Sequence, residues 1–265
     1  MTLPFFKYHG TGNDFILIDN RIQNLNPSEK QVVMLCDRHF GIGADGMMLL
    51  TTYPGYDFGM RYFNSDGHES TMCGNGGRCM TLFAKTLGLV ADKARFMAID
   101  GEHLAEILHP DHTSALIRLR MKDADSGTEY QDGHFIDTGS PHFVVFTQDV
   151  RSADVFRFGR ALRHDLRFAP GGANVDFVEP AGDHLVVRTY ERGVEDETLS
   201  CGTGVTASAL AMAIRDPGNP GFYLIKTCGG DLKVSFRRDG QWFREVWLEG
   251  EARFVFSGNI DLPDE

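Results

Sequence analysis

Long apolar segments and a targeting signal are missing from this chain of 265 residues. Its longest apolar runs, such as 15–18 and 47–50, are far shorter than the roughly 20 residues that a bilayer-spanning helix needs. The amino terminus lacks the basic and then apolar layout of a signal peptide. We therefore expect a cytoplasmic protein with no membrane partner.

Excess positive charge and a paired set of cysteines are also missing. The formal net charge of −11 argues against nucleic acid as a partner, although local donors could still bind a small anionic substrate. Five cysteines at irregular spacings imply no complete disulfide framework. Because Cys73 and Cys79 are too widely spaced for a Cys-x-x-Cys site and no clustered histidine pair accompanies them, we predict no metal. Cys36, Cys79 and Cys228 are predicted to lie in or near the core.

The sequence contains a repeat in which similar features recur at a fixed offset. Cys73 and Cys201 each open a glycine-rich turn before a predicted helix, and they lie 128 residues apart (201 − 73). Phe15 and Phe143, each at the start of an apolar segment, have the same separation (143 − 15). The chain therefore consists of two similar halves, each with one such cysteine.

The predicted elements give each half strands, a helix and further strands. The helices are predicted at 28–38, 78–87, 153–163 and 205–214, and short turns between strands favour mainly antiparallel sheets. A polar stretch at 122–132 marks the boundary between a first half at 1–126 and a second at 127–256. A tail at 257–265 is expected to return to the first half. The fold class is thus α/β in the α+β sense, with two pseudo-symmetric domains.

The chemistry of the two cysteine turns depends on their position at helix amino termini. There, unsatisfied N–H groups and the helix dipole can lower the pKa of a thiol from about 8.5 to about 3.5–7.5. Glycines after the cysteine let the backbone form a nest for a carboxylate. Neither turn has the lysine and Ser/Thr ending of a phosphate-binding loop. A single turn of this kind is usually a buried cysteine beside a helix cap, but recurrence at a matched offset favours function.

Two opposed bases have a specific use. Inversion of a carbon that bears hydrogen requires a proton to leave one face and another to arrive at the opposite face. A thiolate and a thiol related by approximate two-fold symmetry could do this. Cys73 and Cys201 are therefore predicted to be paired acid/base residues.

The chain resembles the diaminopimelate epimerases, cofactor-independent two-cysteine enzymes, over essentially its whole length. The resemblance rests on the order and spacing of motifs at 9–15, 38–45, 63–67, 72–78, 139–142, 190–193, 197–198 and 201–204. It implies interconversion of L,L- and meso-diaminopimelate without pyridoxal phosphate, on the route to lysine and peptidoglycan. It also implies that each domain is a sheet wrapped around a central helix and that the active site lies in the cleft between the domains.

The resemblance also implies roles for individual residues. Cys73 and Cys201 would be the acid/base pair, with His142 and Glu191 orienting the thiols and contacting the substrate amino group. Substrate binding would involve nine residues, Glu191 among them. Four would form the carboxylate nests (Gly74, Asn75, Gly202, Thr203), and five would contact other groups of the substrate (Asn13, Asn64, Asn174, Glu191, Arg192).

The chain departs from the family pattern at three positions. Gly46 stands where many members carry glutamine, and Ser140 stands where they carry asparagine. Both changes shorten polar side chains near the expected ligand. Phe256 replaces a tyrosine often found at the dimer contact of the family, so a homodimer is left as an open prediction.

Two other functions are compatible with the same residues. One is a racemase or epimerase of another amino acid, such as proline or hydroxyproline, with the same fold and mechanism. The other is a non-catalytic amino-acid-binding or thiol-redox protein. Arg192, Asn64 and Asn174 favour a long, doubly zwitterionic substrate over the smaller amino acids.

Overall fold

The computed structural model describes residues 2–71 and 73–262, and its chain divides into two compact units. Unit 1 contains residues 1–119 and 250–265, and unit 2 contains residues 120–249. The predicted boundaries at 126/127 and 256/257 therefore lie seven residues beyond these divisions. The shift arises because β-structure continues through both junctions, and a polar stretch in the sequence does not mark where packing changes.

Unit 1 consists of eight strands and two helices before the chain passes to unit 2. In order they are β1 (Thr2–Gly10), β2 (Asn13–Asp19), α1 (Glu29–Cys36), β3 (Gly46–Thr51), β4 (Phe58–Asn64), β5 (Glu69–Ser70), α2 (Gly74–Thr86), β6 (Lys93–Ala98), β7 (Gly101–Pro110) and β8 (Ser114–Arg120).

Unit 2 repeats this plan. Its elements are β9 (Ala124–Asp125), β10 (Thr128–Tyr130), β11 (Gly133–Asp137), β12 (Pro141–Phe146), α3 (Val155–Arg163), a 3₁₀ turn (Leu166–Phe168), β13 (Asn174–Ala181), β14 (His184–Glu191), β15 (Asp196–Thr198), α4 (Gly202–Arg215), β16 (Phe222–Thr227), β17 (Gly230–Asp239) and β18 (Trp242–Asp261). The sequence pattern predicts two strands, at 243–248 and 252–256, but β18 runs through both as one strand and carries the chain back into unit 1.

The repeat is visible in the positions of the elements. β3 begins at Gly46 and β13 at Asn174, while α2 begins at Gly74 and α4 at Gly202, an offset of 128 in both cases (174 − 46 and 202 − 74). Parallel pairing recurs as well, since β2 pairs with β3 as β12 pairs with β13. Most other neighbours are antiparallel, as β1 with β2 and β13 with β14. The predicted fold class is therefore confirmed.

A buried helix lies at the centre of each unit. α2 packs against β1, β2, β3 and β7, and α4 packs against β11, β12, β13, β14, β16 and β17. Small residues line α4, where Ala207, Ala209 and Ala211 are fully buried and let the strands approach closely. Burial on all sides fixes each helix and hence the residue at its amino terminus.

Both central helices begin earlier than predicted, α2 by four residues and α4 by three. Glycines in the first turn lower intrinsic helix propensity by about 1 kcal/mol each, which is why the prediction started after them. Packing of that turn against the sheet outweighs this cost. Side-chain volume favours glycine at Gly204, where a Cβ would meet the Asp176 carboxylate, more than at Gly76, where it would meet the flexible end of Met48.

The three remaining cysteines do not all lie in the core. Cys36 and Cys79 are buried, as predicted, but the prediction for Cys228 was wrong because it is exposed. Cys228 lies in the two-residue turn between β16 and β17, whose last pair is Thr227 with Gly230. The tip of such a hairpin has no strand to cover it.

Candidate functional site

Cys73 stands immediately before α2 as its N-cap residue, with extended backbone (φ −91°, ψ 131°). Its side chain is half-buried, and its Sγ lies 3.6 Å from Oδ1 of Asn13 at the start of β2. The preceding Met72 lies outside the described residues. The first N–H groups of a helix have no intrahelical carbonyl partner, so Gly74 and Asn75 present donors beside this sulfur.

Asn13, Asn75 and Arg78 form a polar chain behind Cys73. The Asn75 amide nitrogen donates to Asn13 Oδ1 at 3.4 Å, and its Oδ1 accepts from Arg78 Nη2 at 2.8 Å. Asn13 itself donates to Asp45 Oδ2 at 2.6 Å. The structure therefore brings together four predicted site residues of unit 1 (Asn13, Cys73, Gly74, Asn75).

Gly46 and Asn64 face each other across β3 and β4, at the ends of these strands. A Cβ placed on Gly46 would lie 2.6 Å from the Phe63 carbonyl oxygen and 2.6 Å from the Tyr62 ring. The buried Tyr62 ring thus takes the space in which any side chain at position 46 would begin. A longer side chain at position 46 would therefore require the Tyr62 ring to move.

Cys201 is the N-cap residue of α4 in unit 2, again with extended backbone (φ −115°, ψ 115°). Its Sγ lies 3.4 Å from Thr203 Oγ1, which lies 2.9 Å from His142 Nε2. The other ring nitrogen of His142, Nδ1, lies 2.7 Å from Asp176 Oδ2. The side chains of His142 and Asp176 are fully buried, so this pair is shielded from water.

The electrostatic environment of Cys201 opposes the sequence-based expectation of a lowered thiol pKa. Burial raises the pKa of Cys201 well above its ordinary value, and the carboxylates of Glu191 and Asp176 raise it further. Hydrogen bonds from Thr203 and from the Gly204 backbone act in the opposite direction but are outweighed. Helix N-terminal donors alone therefore do not set the pKa of Cys201, and its surroundings favour the protonated thiol.

Asn174 connects the predicted substrate residues of unit 2. Its amide nitrogen donates to Ser140 Oγ at 2.9 Å, and its Oδ1 accepts from the Arg192 backbone at 2.8 Å. Ser140 Oγ also lies 3.5 Å from Arg192 Nη2, so the short serine bridges two predicted substrate residues. Glu191 ends β14 directly before Arg192.

Two buried charged residues beside the candidate site, Arg78 and Asp176, were not predicted from the sequence. Both side chains are fully buried and both lie behind a cysteine-bearing helix turn. A signal was present, because each is a charged residue inside an apolar segment, Arg78 in α2 and Asp176 between Val175 and Phe177 in β13. Buried charges must be paired or hydrogen-bonded, and pairing marks such residues as candidates.

Two cavities lie away from the predicted site residues. One of about 490 Å³ in unit 2 is lined by Arg188, Glu197 and Cys228, among others, and one of about 440 Å³ in unit 1 by Tyr8, Thr86 and Phe254, among others. Neither contains a predicted site residue. Within residues 2–71 and 73–262, no group of three or more His, Cys, Asp or Glu side chains is placed to hold a metal ion. In the same residues, no helix has the length and apolar character that a membrane crossing requires.

Comparison with known sequences gives a consistent family. A family model described as diaminopimelate epimerase matches residues 5–125 and 134–255. A diaminopimelate epimerase of Flavobacterium psychrophilum is 45% identical over 260 residues, covering 97% of this chain and 100% of the relative. Another, of Chlorobaculum tepidum, is 41% identical and covers 96% of this chain and 99% of the relative.

Comparison with known structures supports the fold. A phenazine biosynthesis protein of the PhzF family from Bacillus anthracis has a TM-score of 0.74 at 17% identity, covering 98% of this chain and 99% of that one. A hydroxyproline epimerase from Agrobacterium vitis, with bound trans-4-hydroxy-L-proline, has a TM-score of 0.72 at 16% identity, covering 99% and 93%. Family match, near-complete coverage and shared fold agree, and the chain belongs to the diaminopimelate epimerase family.

Proposed function

We propose that this chain is a diaminopimelate epimerase that inverts an α-carbon of its substrate between the L,L and meso forms with two thiols and without pyridoxal phosphate. The observation that carries the two-thiol mechanism is the repeated placement of a cysteine at the N-cap of a buried helix. Cys73 precedes α2 and Cys201 precedes α4 with similar backbone angles. Reactions on the route to lysine and peptidoglycan precursors would use the product.

The proposed mechanism moves one proton on each face of the carbon. The thiolate of one cysteine takes the α-proton, leaving the electron pair on the carbon and its carboxylate. The thiol of the other cysteine then gives its proton to the opposite face. The two sulfurs exchange charge states and nothing is oxidised or reduced. The reverse reaction uses the same groups with exchanged roles.

Backbone donors would stabilise the charge that develops during proton removal. N–H groups of Gly74 and Asn75, and of Gly202 and Thr203, are the unpaired first-turn donors that hold a carboxylate well. A single preorganised donor of this kind contributes about 3–4 kcal/mol to the lowering of a reaction barrier. Arg192 would hold the carboxylate at the distal end with its planar fork of donors.

His142 and Glu191 would act beside Cys201. His142 contacts Thr203 Oγ1, which contacts the Cys201 sulfur, so the ring controls how the thiol is oriented. Glu191 adds negative charge near that sulfur and would attract the ammonium group of the substrate. Asn13, Asn64 and Asn174 would complete recognition through their amides.

The proposal extends to cellular location and assembly. Free thiols suit a reducing compartment, so we propose a cytoplasmic protein. Val255 and Phe256 of β18 are half-exposed, which supports a homodimer formed through this strand. Fractionation of cells and light scattering of the purified protein would test these two points.

Deuterium exchange tests the central proposal. In deuterated water, L,L-diaminopimelate should gain deuterium at the α-carbon as the meso form appears, without added pyridoxal phosphate. The variants C73A and C201A should each lose epimerisation by about 1,000-fold, because each face needs its own base. The matched control is C228S, which changes an exposed cysteine outside the candidate site and should keep wild-type turnover.

Two outcomes would contradict the proposed function, and each would favour a different one. Exchange with proline or hydroxyproline but not with diaminopimelate would indicate another amino-acid racemase. Tight binding without exchange, unchanged in C73A and C201A, would indicate a non-catalytic binding protein.

A further inference from the structure

Arg78 is a fully buried arginine in the second turn of α2. Its guanidinium donates through Nη1 to the Gly74 carbonyl at 3.3 Å and through Nη2 to Thr11 Oγ1 at 3.2 Å and Asn75 Oδ1 at 2.8 Å. Its Nε has no hydrogen-bond partner. All these acceptors are neutral, and within residues 2–71 and 73–262 no carboxylate forms an ion pair with Arg78. The cost of burying this charge is therefore not offset by a fixed anion.

Two ionisable groups of α2 act electrostatically on Arg78, the thiols of Cys79 and Cys73. Cys79 is fully buried, and burial raises the pKa of its thiol far above the ordinary value, so it remains neutral. Cys73 is half-buried and stands at the amino terminus of the helix. Cys73 is therefore the group that can supply the missing negative charge.

The acidic groups Asp14 and Asp45 of unit 1 are already paired with cations. Asp14 on β2 lies 2.8 Å from Lys7 on β1 and 2.8 Å from Arg38. Arg38 also lies 2.7 Å from Asp45, the acceptor of the Asn13 amide. These pairs leave no unpaired acid among them to neutralise Arg78. His9, which lies opposite Asp14 across β1 and β2, and Tyr8 are two further titratable side chains of β1.

We propose that Arg78 is a positioning residue that makes Cys73, rather than Cys201, the thiolate of the free enzyme. It acts in two ways. Its charge lies behind the Cys73 turn in the dry interior, where attraction to an anion is strong. Its bond to Asn75 Oδ1 also fixes the amide so that the nitrogen donates to Asn13 Oδ1, which lies 3.6 Å from the Cys73 sulfur.

The equivalent position in unit 2 supports this assignment. Residue 78 + 128 is Thr206, a buried neutral side chain whose Oγ1 donates to the Gly202 carbonyl at 2.8 Å. This bond repeats the one from Arg78 to the Gly74 carbonyl. Unit 2 therefore keeps the backbone contact without the positive charge, and its nearby buried charge is the carboxylate of Asp176. The inference itself concerns the ionisation of a thiol, and only the use of that thiolate in catalysis rests on the proposed two-thiol mechanism.

The test measures thiol ionisation without substrate. Wild-type protein is treated with iodoacetamide from pH 5 to pH 10, and mass spectrometry of peptides gives the alkylation rate of each cysteine. The pH midpoint is compared instead of the rate, because the midpoint reports ionisation and the rate also depends on access. We expect the Cys73 midpoint to lie at least about two units below that of Cys201, a separation within the range that burial and nearby charges produce. Equal midpoints, or a lower one for Cys201, would overturn the proposal.

Three variants separate charge from structure. R78M should raise the Cys73 midpoint by about one unit, a tenfold loss of thiolate at neutral pH, and leave the Cys201 midpoint unchanged. R78K keeps the charge and should stay near the wild-type midpoint although it loses the planar fork. R61M removes an arginine of unit 1 that is paired with Glu69 and should change neither midpoint.

The results distinguish failure of this proposal about Arg78 from failure of the proposed function. An unchanged Cys73 midpoint in R78M contradicts the proposal, even if the variant binds substrate poorly. A raised midpoint in R78M with rescue in R78K supports it, even if diaminopimelate proves not to be the substrate. If R78M does not fold, the wild-type midpoints and R78K still decide, since a raised midpoint with the charge retained would contradict the role of charge.

Discussion

The two cysteine-bearing turns share a backbone but differ in buried charge. In unit 1, Met48 packs under Gly76 and the buried Arg78 lies two residues further along α2. In unit 2, the residues at the same offset are Asp176, under Gly204, and Thr206. One turn thus has a buried cation behind it and the other a buried anion. The repeat preserves the position of each thiol, whereas the neighbouring side chains set its affinity for a proton.

This difference suits an enzyme that needs one thiolate and one thiol. Two identical environments would give the sulfurs the same affinity for a proton, and the free enzyme would have no preferred state. Opposite charges behind the two helices break this equality. Substitutions that remove or exchange these charges therefore test the comparison.

Among substitutions that test this comparison of buried neighbours, the largest effect is expected from Asp176→Asn. The variant removes the carboxylate that holds His142 Nδ1 at 2.7 Å and replaces it with an amide of ambiguous orientation. Turnover should fall by about 10- to 100-fold, the range for carboxylates that orient a functional imidazole. The Cys201 pKa should also fall, because Asp176 is one of the charges that raise it. Steady-state epimerisation and alkylation against pH measure the two effects.

A surface pair provides the matched control for this variant. Asp183 Oδ1 lies 2.9 Å from His184 Nδ1, and Asp183 is 90% exposed. Asp183→Asn should therefore leave turnover unchanged. If Asp176→Asn also kept turnover within twofold of wild type, the buried pair would have no role in orienting the thiol.

Equivalent glycine substitutions should have unequal effects on stability. In Gly204→Ala the new methyl group would press on Asp176, which is held by His142 and Thr189, so we expect a loss of about 1–3 kcal/mol in the free energy of unfolding. In Gly76→Ala it meets the flexible end of Met48, which can move, and the gain in helix propensity offsets part of the cost. This variant should stay within about 1 kcal/mol of wild type. Urea denaturation compares them, and equal losses would show that Asp176 is not fixed more firmly than Met48.

The smallest effect concerns Asp14, which lies at the offset position of His142 (142 − 14 = 128). Burial alone would raise the pKa of Asp14, but hydrogen bonds from Arg38 and Lys7 outweigh it and hold the pKa at about 2, below the ordinary 3.8. Because the folded pKa is lowered, this stabilisation is present above about pH 4 and is lost as the pH falls towards 2. It amounts to about 1–2 kcal/mol after allowance for solvent screening.

Denaturation at pH 6 and pH 3 tests this assignment. Asp14→Asn should be less stable than wild type at pH 6 and should lose less stability on acidification. The control is Asp92→Asn, since Asp92 is 82% exposed and its lysine partner is 3.8 Å away. An Asp14 variant with the same loss between pH 6 and pH 3 as wild type would contradict the assignment.

Much of the fold was predictable from local patterns. The capping box at Ser28 and Gln31 marks the start of α1, and Asp154 accepts from Arg157 as the N-cap of α3. The central helices were placed correctly but begun too late, because the packing of their glycine turns is a tertiary effect. β18 was divided in two because its polar residues, such as Glu249 and Glu251, resemble a turn in sequence while the ladder continues through them.

The residues of the candidate site were also predictable only in part. Repetition of Cys73 and Cys201 in glycine turns was readable because both the residues and their offset are local features. The roles of Arg78 and Asp176 were not, since each depends on side chains far apart in sequence. Asp176, for instance, meets His142 from another strand, 34 residues away.

The sequence by itself determined the duplication, the placement of one cysteine at each helix start and, through its motifs, the family. The tertiary structure decided which charges lie behind each cysteine. The physical reason is that a thiol pKa depends on burial and on charges within a few ångströms, and these distances exist only after the strands and helices have packed. The same local turn therefore has a raised thiol pKa at Cys201, where burial, Glu191 and Asp176 act on it, whereas Arg78 lies behind the turn of Cys73.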